Sequence, residues 1–299
     1  MGAGVIMNRG YQDQVLETCR KKIIDTQRKL QVAYEISQCP DGVEEQEEKV
    51  VCDKHGEFIR KVRKISVLGK QITSSRTECH QCLEERLAAL QEEERESQAW
   101  VKQSTIDYLM NSLSIPERFV NCTLENYIPE GKESERALRV CQAYAAKWPE
   151  RLKSGGGLVM CGKPGTGKNH LALAIAKHVI LNHQSPVIFT TALKIARDYK
   201  STWSKGSTRS EDDVISLYTQ PDLLIIDEVG VQFGSDAEKL IMFEIINTRY
   251  ERMKPTILIS NQTKDELAAF IGERVIDRMN DGGGCTLSFT WDSYRERKS

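Results

Sequence analysis

The residues with the clearest chemical meaning are Gly162, Gly165, Gly167 and Lys168, spaced as G-x-x-x-x-G-K within the run GGGLVMCGKPGTGKNH of residues 155–170. Glycines at this spacing let backbone N–H groups converge on phosphate oxygens, and the lysine reaches the terminal ones. The expected cradle is therefore Gly162, Lys163, Pro164, Gly165, Thr166, Gly167, Lys168, Asn169 and His170. Residues 168–183 read as a helix whose N-terminal dipole end adds to the site. Ser or Thr usually follows the lysine and gives a hydroxyl to magnesium. Asn169 stands there instead, and its amide oxygen can ligate the same hard cation.

Two further constellations belong to the same chemistry. The apolar run 223–226 delivers Asp227 and Glu228 at its tip, as magnesium coordination and water activation require. Asp227 would hold the metal through water, and Glu228 would orient or deprotonate the attacking water. Taken alone, two such acids could also cap a helix. A later apolar run ends at Ser260-Asn261, which sets a polar group beside a γ-phosphate. Arg274 and Arg278 lie four apart and share one face of a helix, where they could also be solvated or pair with Glu273 and Asp277. The expected ligands are ATP or ADP with Mg²⁺ on Asn169 and Asp227.

A separate set of ligands lies upstream. Cys52-x-x-His55 and Cys79-x-x-Cys82 each place two donors on one tight turn, and the pair of turns completes a closed tetrahedral zinc site. His80 is an alternative ligand. Residues 58–65 and 67–72 alternate as a hairpin turning near Leu68-Gly69-Lys70. That hairpin is basic, and could touch phosphates or pair with the acidic helix that follows.

The elements that must position these groups form two regions. Residues 11–36 carry an amphipathic pattern ended by Pro40 and Gly42, its apolar stripe suiting either core or a docking face. Residues 41–49 read as an acidic, solvated connector, and residues 83–110 as a long linking helix. Beyond Pro116 comes an aromatic-bearing strap, 118–127, and then a helix over 133–148 that Pro149 should end. Short apolar runs at 158–161, 186–190, 223–226, 256–260 and 286–290 alternate with helical patterns, which predicts an α/β fold with a five-stranded parallel sheet. The division expected is 1–112, a small helical and zinc-binding region, and 113–299, a nucleotide-binding domain.

Composition bounds the rest. A chain of 299 residues, 39% hydrophobic and 28% charged with net charge −1, is not a generally basic nucleic-acid binder. No apolar run is long enough for a membrane span, and no export leader is evident at the start. Nine cysteines, an odd number, suit reduced thiols and metal ligands better than disulfides, which points to the cytoplasm.

GKPGTGKNHLA, LLIIDEVGVQ, GERVIDRM and WDSYR together resemble the DnaC-type AAA+ bacterial replicative helicase loaders over about residues 158–297. That family shares the Asn after the P-loop lysine. The resemblance implies Walker A at 162–169, Walker B at Asp227 and Glu228, sensor 1 at Asn261, an arginine finger at Arg278 beside Arg274, and sensor 2 at Arg295. It also implies self-assembly with ATP, a grip on single-stranded DNA, a hexameric replicative helicase as partner, and a helical insertion at 192–217. The N-terminal third departs from the enterobacterial loaders and is similar to phage-encoded and zinc-bearing DnaI-type proteins, which implies a phage or prophage variant. Two rival functions are an ATPase helper of a transposase and a nucleotide-binding adaptor without turnover.

Overall fold

An alternation of apolar runs with helices dictates a sheet covered on both faces, and most of the chain is spent on it. The computed structural model describes residues 3–34, 43–67, 70–230 and 236–294. The chain divides into two compact units, 1–104 and 105–299.

The first unit comprises α1 (Ala3–Tyr34), β1 (Val43–Cys52), β2 (Gly56–Val67), β3 (Lys70–Arg76) and the first part of α2 (His80–Ser112), within which the division falls. Cys19, Ile23 and Leu30 of α1 are buried, as is Leu83 of α2, whereas Val15 and Ile24 stay exposed. The Cys19 thiol donates to the Leu90 carbonyl at 3.5 Å, and Arg20 pairs with Glu94 at 2.8 Å. The positions expected at the end of α1, Ile36, Pro40 and Gly42, lie outside the described residues, as do the turn positions Leu68 and Gly69.

The acidic stretch expected as a connector is instead a strand from Val43 onward. β1 pairs antiparallel with β2, placing Glu44 opposite Lys64, Glu45 opposite Arg63, Glu47 opposite Lys61 and Glu48 opposite Arg60. Opposite charges facing across a ladder stabilise it, by roughly 0.2–1 kcal/mol a pair. Carboxylates that look like solvated spacing in one dimension thus find their partners a dozen or more residues away. The basic hairpin is charge-matched by β1, not only by the helix after it: Glu45 lies 2.9 Å from Arg63 Nε and 3.8 Å from Lys61 Nζ.

The second unit holds α3 (Lys132–Ala146), α4 (Trp148–Ser154), β4 (Leu158–Gly162), α5 (Lys168–His183), β5 (Val187–Thr191), α6 (Ala192–Ser201), α7 (Glu211–Thr219), β6 (Leu223–Asp227), α8 (Asp236–Glu251), β7 (Thr256–Ile259), α9 (Lys264–Ile271), α10 (Glu273–Asn280) and β8 (Cys285–Phe289). All five strands are parallel, in the order β5-β6-β7-β4-β8. Successive side chains face opposite layers. Leu158, Met160, Leu223 and Ile225 pack against α3 and α5, while Val159, Cys161, Leu224 and Ile226 enter the core of α7, α8 and α10. Pro149 does not stop a helix as expected. α3 ends at Ala146, and Pro149 occupies the first turn of α4, where its missing N–H leaves nothing unsatisfied.

Because β7 lies between β4 and β6, the carboxyl ends of these three strands are neighbours. The loop after β4, Asp227 at the end of β6 and Ser260-Asn261 after β7 therefore share one edge of the sheet.

Candidate nucleotide and metal sites

β4 passes into the loop 163–167 and then α5, so the sheet aims the loop and the helix supplies its N-terminus. Gly162 has φ +121°, and a Cβ there would lie 2.3 Å from the Phe289 carbonyl oxygen; the turn needs glycine on both counts. That same carbonyl accepts from the Lys163 N–H at 2.8 Å, tying the loop to β8. Lys168 is 5% exposed, and its ammonium donates to the Gly162 and Lys163 carbonyls at 2.8 and 2.6 Å. A buried ammonium held at the rim of a loop of backbone N–H groups is a phosphate-binding arrangement.

Asn169, in the first turn of α5, donates from Nδ2 to Asp227 Oδ2 at 2.6 Å, while Asp227 Oδ1 accepts the Glu228 N–H at 2.7 Å. The two motifs, 58 residues apart, are thereby joined. Burial raises the Asp227 carboxyl above its ordinary value, and the bond from Asn169 opposes that rise. With its Nδ2 on Asp227, Asn169 keeps its amide oxygen as a donor for a hard cation, so the pair fits magnesium. Glu228 is exposed, with φ 58°. A non-glycine residue in this region costs on the order of 1–3 kcal/mol and is held by its surroundings. The holding groups are the Val229 N–H on the Ile259 carbonyl, the Ser260 hydroxyl on the Val229 carbonyl, and Gln262 Nε2 on the Gly230 carbonyl.

The remaining expected residues are placed as follows. Asn261 is exposed just beyond β7. Lys163 and Pro164 are exposed, and Lys163 pairs with Asp292 at 3.1 Å. His170 Nε2 lies 2.9 Å from the Thr123 carbonyl. Arg274 is exposed on α10, whereas Arg278 is half-buried, bonded to the Asn247 amide oxygen and stacked over the Tyr250 ring with its guanidinium carbon 5.1 Å from the centroid. Arg295 lies outside the described residues.

Sequence reading did not single out Lys177 or Arg249. Lys177 donates to the Phe119, Val120 and Cys122 carbonyls, pinning the strap against α5. Arg249, wholly buried, donates to the Tyr218, Pro221, Asp222 and Pro255 carbonyls and to the Thr256 hydroxyl, fixing the chain where it enters β6 and β7. Nothing in the local pattern marks a buried cation whose acceptors are carbonyls on other segments.

In the first unit, Cys52, His55, Cys79 and Cys82 come together with all four donor atoms within 4.8 Å of one another. Cys52 Sγ to Cys82 Sγ is 3.5 Å, and His55 Nδ1 lies 3.7, 3.7 and 3.3 Å from the sulfurs of Cys52, Cys79 and Cys82. A tetrahedral zinc with ordinary bond lengths has edges of roughly 3.5–3.8 Å, so the set fits one ion. Glu85 takes His55 Nε2 at 3.0 Å and leaves Nδ1 facing the thiols, the orientation a ligating imidazole needs. The backbone N–H groups of Lys54 and His55 pull the Cys52 thiol down to about 6, and Cys52 in turn pushes the adjacent Cys82 thiol up to about 11. His80, the alternative ligand, packs against the Tyr34 ring instead, at 5.2 Å.

With these sites in view, the chain can be set beside known proteins. Residues 68–299 match the family described as IstB-like ATP binding protein. The replicative helicase loader DnaC of Escherichia coli (strain K12) is 38% identical over 212 residues, 71% of this chain and 82% of that protein. Its counterpart in Buchnera aphidicola subsp. Baizongia pistaciae (strain Bp) is 36% identical over 218 residues, 72% of this chain and 87% of the relative. A crystal structure of the DnaC helicase loader superposes with a TM-score of 0.52 at 24% identity, covering 58% of this chain and 99% of that one.

Proposed function

This chain belongs to the IstB-like ATP-binding family, alongside the DnaC-type replicative helicase loaders, and on that premise we propose that it loads a hexameric replicative helicase onto single-stranded DNA in the cytoplasm, hydrolysing ATP to complete or reset the cycle. The observation that carries the ATPase part is the junction of Lys168, Asn169 and Asp227 at the shared strand edge, with Glu228 next in chain.

In this reading the 162–170 loop binds the nucleotide phosphates. Mg²⁺ would be held by Asn169 and, through water, by Asp227, and would supply charge neutralisation on the β- and γ-oxygens. Lys168 exchanges its carbonyl partners for terminal phosphate oxygens. Glu228, exposed and held at positive φ, orients the attacking water and takes its proton, while Asn261 contacts the γ-phosphate. Arg278, with Arg274, reaches the nucleotide of a neighbouring copy, and Arg295 contacts the nucleotide as sensor 2. Helices α6 and α7 stand where the helical insertion is expected, and exposed Trp203 between them offers a face on which a base of single-stranded DNA can stack. Residues 1–112 form the partner-binding part, its fold closed by zinc on Cys52, His55, Cys79 and Cys82. The identity of that part suits a phage or prophage loader.

The test is magnesium-dependent phosphate release, with and without single-stranded DNA, on the parent, Lys168→Ala and Glu228→Gln, together with the native mass of mixtures with candidate hexameric helicases. Lys168→Ala should lose nucleotide binding, whereas Glu228→Gln should bind ATP and not hydrolyse it. A parent that binds ATP without releasing phosphate under any of these conditions is an adaptor, and one that forms no helicase complex with or without ATP is not a loader.

A further inference from the structure

The phosphate loop is held from outside by two side chains to which the sequence reading gave no role of their own, Tyr127 at the end of the strap and Trp291 at the head of WDSYR. The Thr166 carbonyl accepts two hydrogen bonds: from the Tyr127 hydroxyl at 3.1 Å and from the Trp291 indole N–H at 3.2 Å. The two donors come from opposite ends of the domain's chain, one from the strap before α3 and the other from the segment after β8. Thr166 is 3% exposed and its own hydroxyl is spent on the Lys163 carbonyl at 2.8 Å.

A trans peptide is planar, with its C=O and N–H pointing in opposite directions. Holding the Thr166 oxygen toward Tyr127 and Trp291 therefore turns the Gly167 N–H the other way, away from both donors. The Gly165 carbonyl is treated likewise, by the Tyr294 N–H at 3.1 Å, which turns the Thr166 N–H. The segment 291–294 lies so close that a Cβ on Gly165 would be 2.0 Å from the Ser293 hydroxyl, and at φ +77° that residue must be glycine twice over.

We propose that Tyr127 and Trp291 are positioning residues for nucleotide binding: together they lock the Thr166–Gly167 peptide so that its N–H is preset toward phosphate. The inference rests on the reading of this loop as the nucleotide site. Free glycine-rich loops have many peptide orientations, and fixing one beforehand removes part of the ordering cost of binding. Burial is the main reason the Tyr127 hydroxyl is pushed up to about 12, so it stays a donor at any working pH. Because two donors share one acceptor, either alone retains most of the lock, and the effect of losing both exceeds the sum of the single losses.

Tyr127→Phe removes the donor and keeps the ring, and Trp291→Phe removes the donor and leaves a smaller aromatic ring against Phe289, from which the indole is 4.7 Å. Each change should weaken ADP binding about threefold, and the pair at least about thirtyfold, by calorimetry on the full chain. In protein labelled with ¹⁵N-glycine, the Gly167 amide resonance should move strongly downfield on adding ADP to the parent and little in the double variant, a signature that a merely structural contact would not alter. A parent that binds no ADP removes the nucleotide reading and this inference with it. A parent that binds, beside a double variant with equal affinity and the same Gly167 shift, overturns this inference alone. Should the double variant fail to fold, the single variants decide: an ADP affinity unchanged in both, where about threefold weakening is expected of each, overturns the lock.

Discussion

The two units of this chain are stabilised by different means. In residues 105–299 a five-stranded sheet carries helices on both faces, and its three central strands, β6, β7 and β4, are almost wholly inaccessible. In residues 1–104 a three-stranded sheet exposes most of β1 and the whole of β3, and among the described residues of that unit the buried side chains are few: Cys19, Ile23, Thr26, Leu30, Val62, Cys79 and Leu83. Residues 105–299 have ample apolar burial; residues 1–104 have far less, and there a cross-strand charge ladder and, in the proposed reading, a metal on four clustered ligands would take its place. A small unit short of core needs such a clamp, and the clamp leaves its surface free to be polar.

The comparison breaks most visibly at the metal ligands. Chelation, or Cys79→Ser, should unfold residues 1–104 while the second unit keeps its melting temperature and its nucleotide affinity; structural zinc in small peptides is worth roughly 10–16 kcal/mol. Two-probe thermal melts and metal content near one per chain check this, and a metal-free protein with the first unit intact would refute it. Next in size, Arg278→Ala should bind ATP yet lose on the order of 10³-fold or more of DNA-stimulated hydrolysis, and mixing it with Lys168→Ala should restore part of the rate. That result would show a surface of the second unit serving chemistry across copies. Full activity in Arg278→Ala, or co-assembly without rescue, would end the trans assignment.

Arg249→Met is the reciprocal of the zinc experiment. It strips five donors from buried acceptors at the start of β6 and β7 and should cost about 3–5 kcal/mol in the second unit alone, read by urea unfolding. The smallest effect is expected at the ladder. Glu45→Lys faces Arg63 with a like charge and should destabilise the first unit by less than about 1 kcal/mol, an effect that salt should reduce. An effect of several kcal/mol would mean that the ladder, and not the metal, carries that unit.

The chain's own order of residues determined the parts that depend on neighbours in sequence. The strands of the parallel sheet were legible because burial on both faces demands unbroken apolar runs, as in Leu223 to Ile226. The phosphate loop and the zinc-type ligands were legible because each half of either site sits on one turn, at a spacing that the turn itself sets. Tertiary structure decided the rest. Glu44 to Glu48 form a strand because their partners are Arg60 to Lys64. Pro149 begins a helix because α3 has already ended. Arg249 satisfies carbonyls brought in from two other segments, and Tyr127 and Trp291 meet on one carbonyl although 164 residues separate them. In each case the partner lies far along the chain, and no local pattern of size, charge or spacing encodes a hydrogen bond or ion pair whose second half arrives only when the strands are laid in the order β5-β6-β7-β4-β8 or β1-β2-β3.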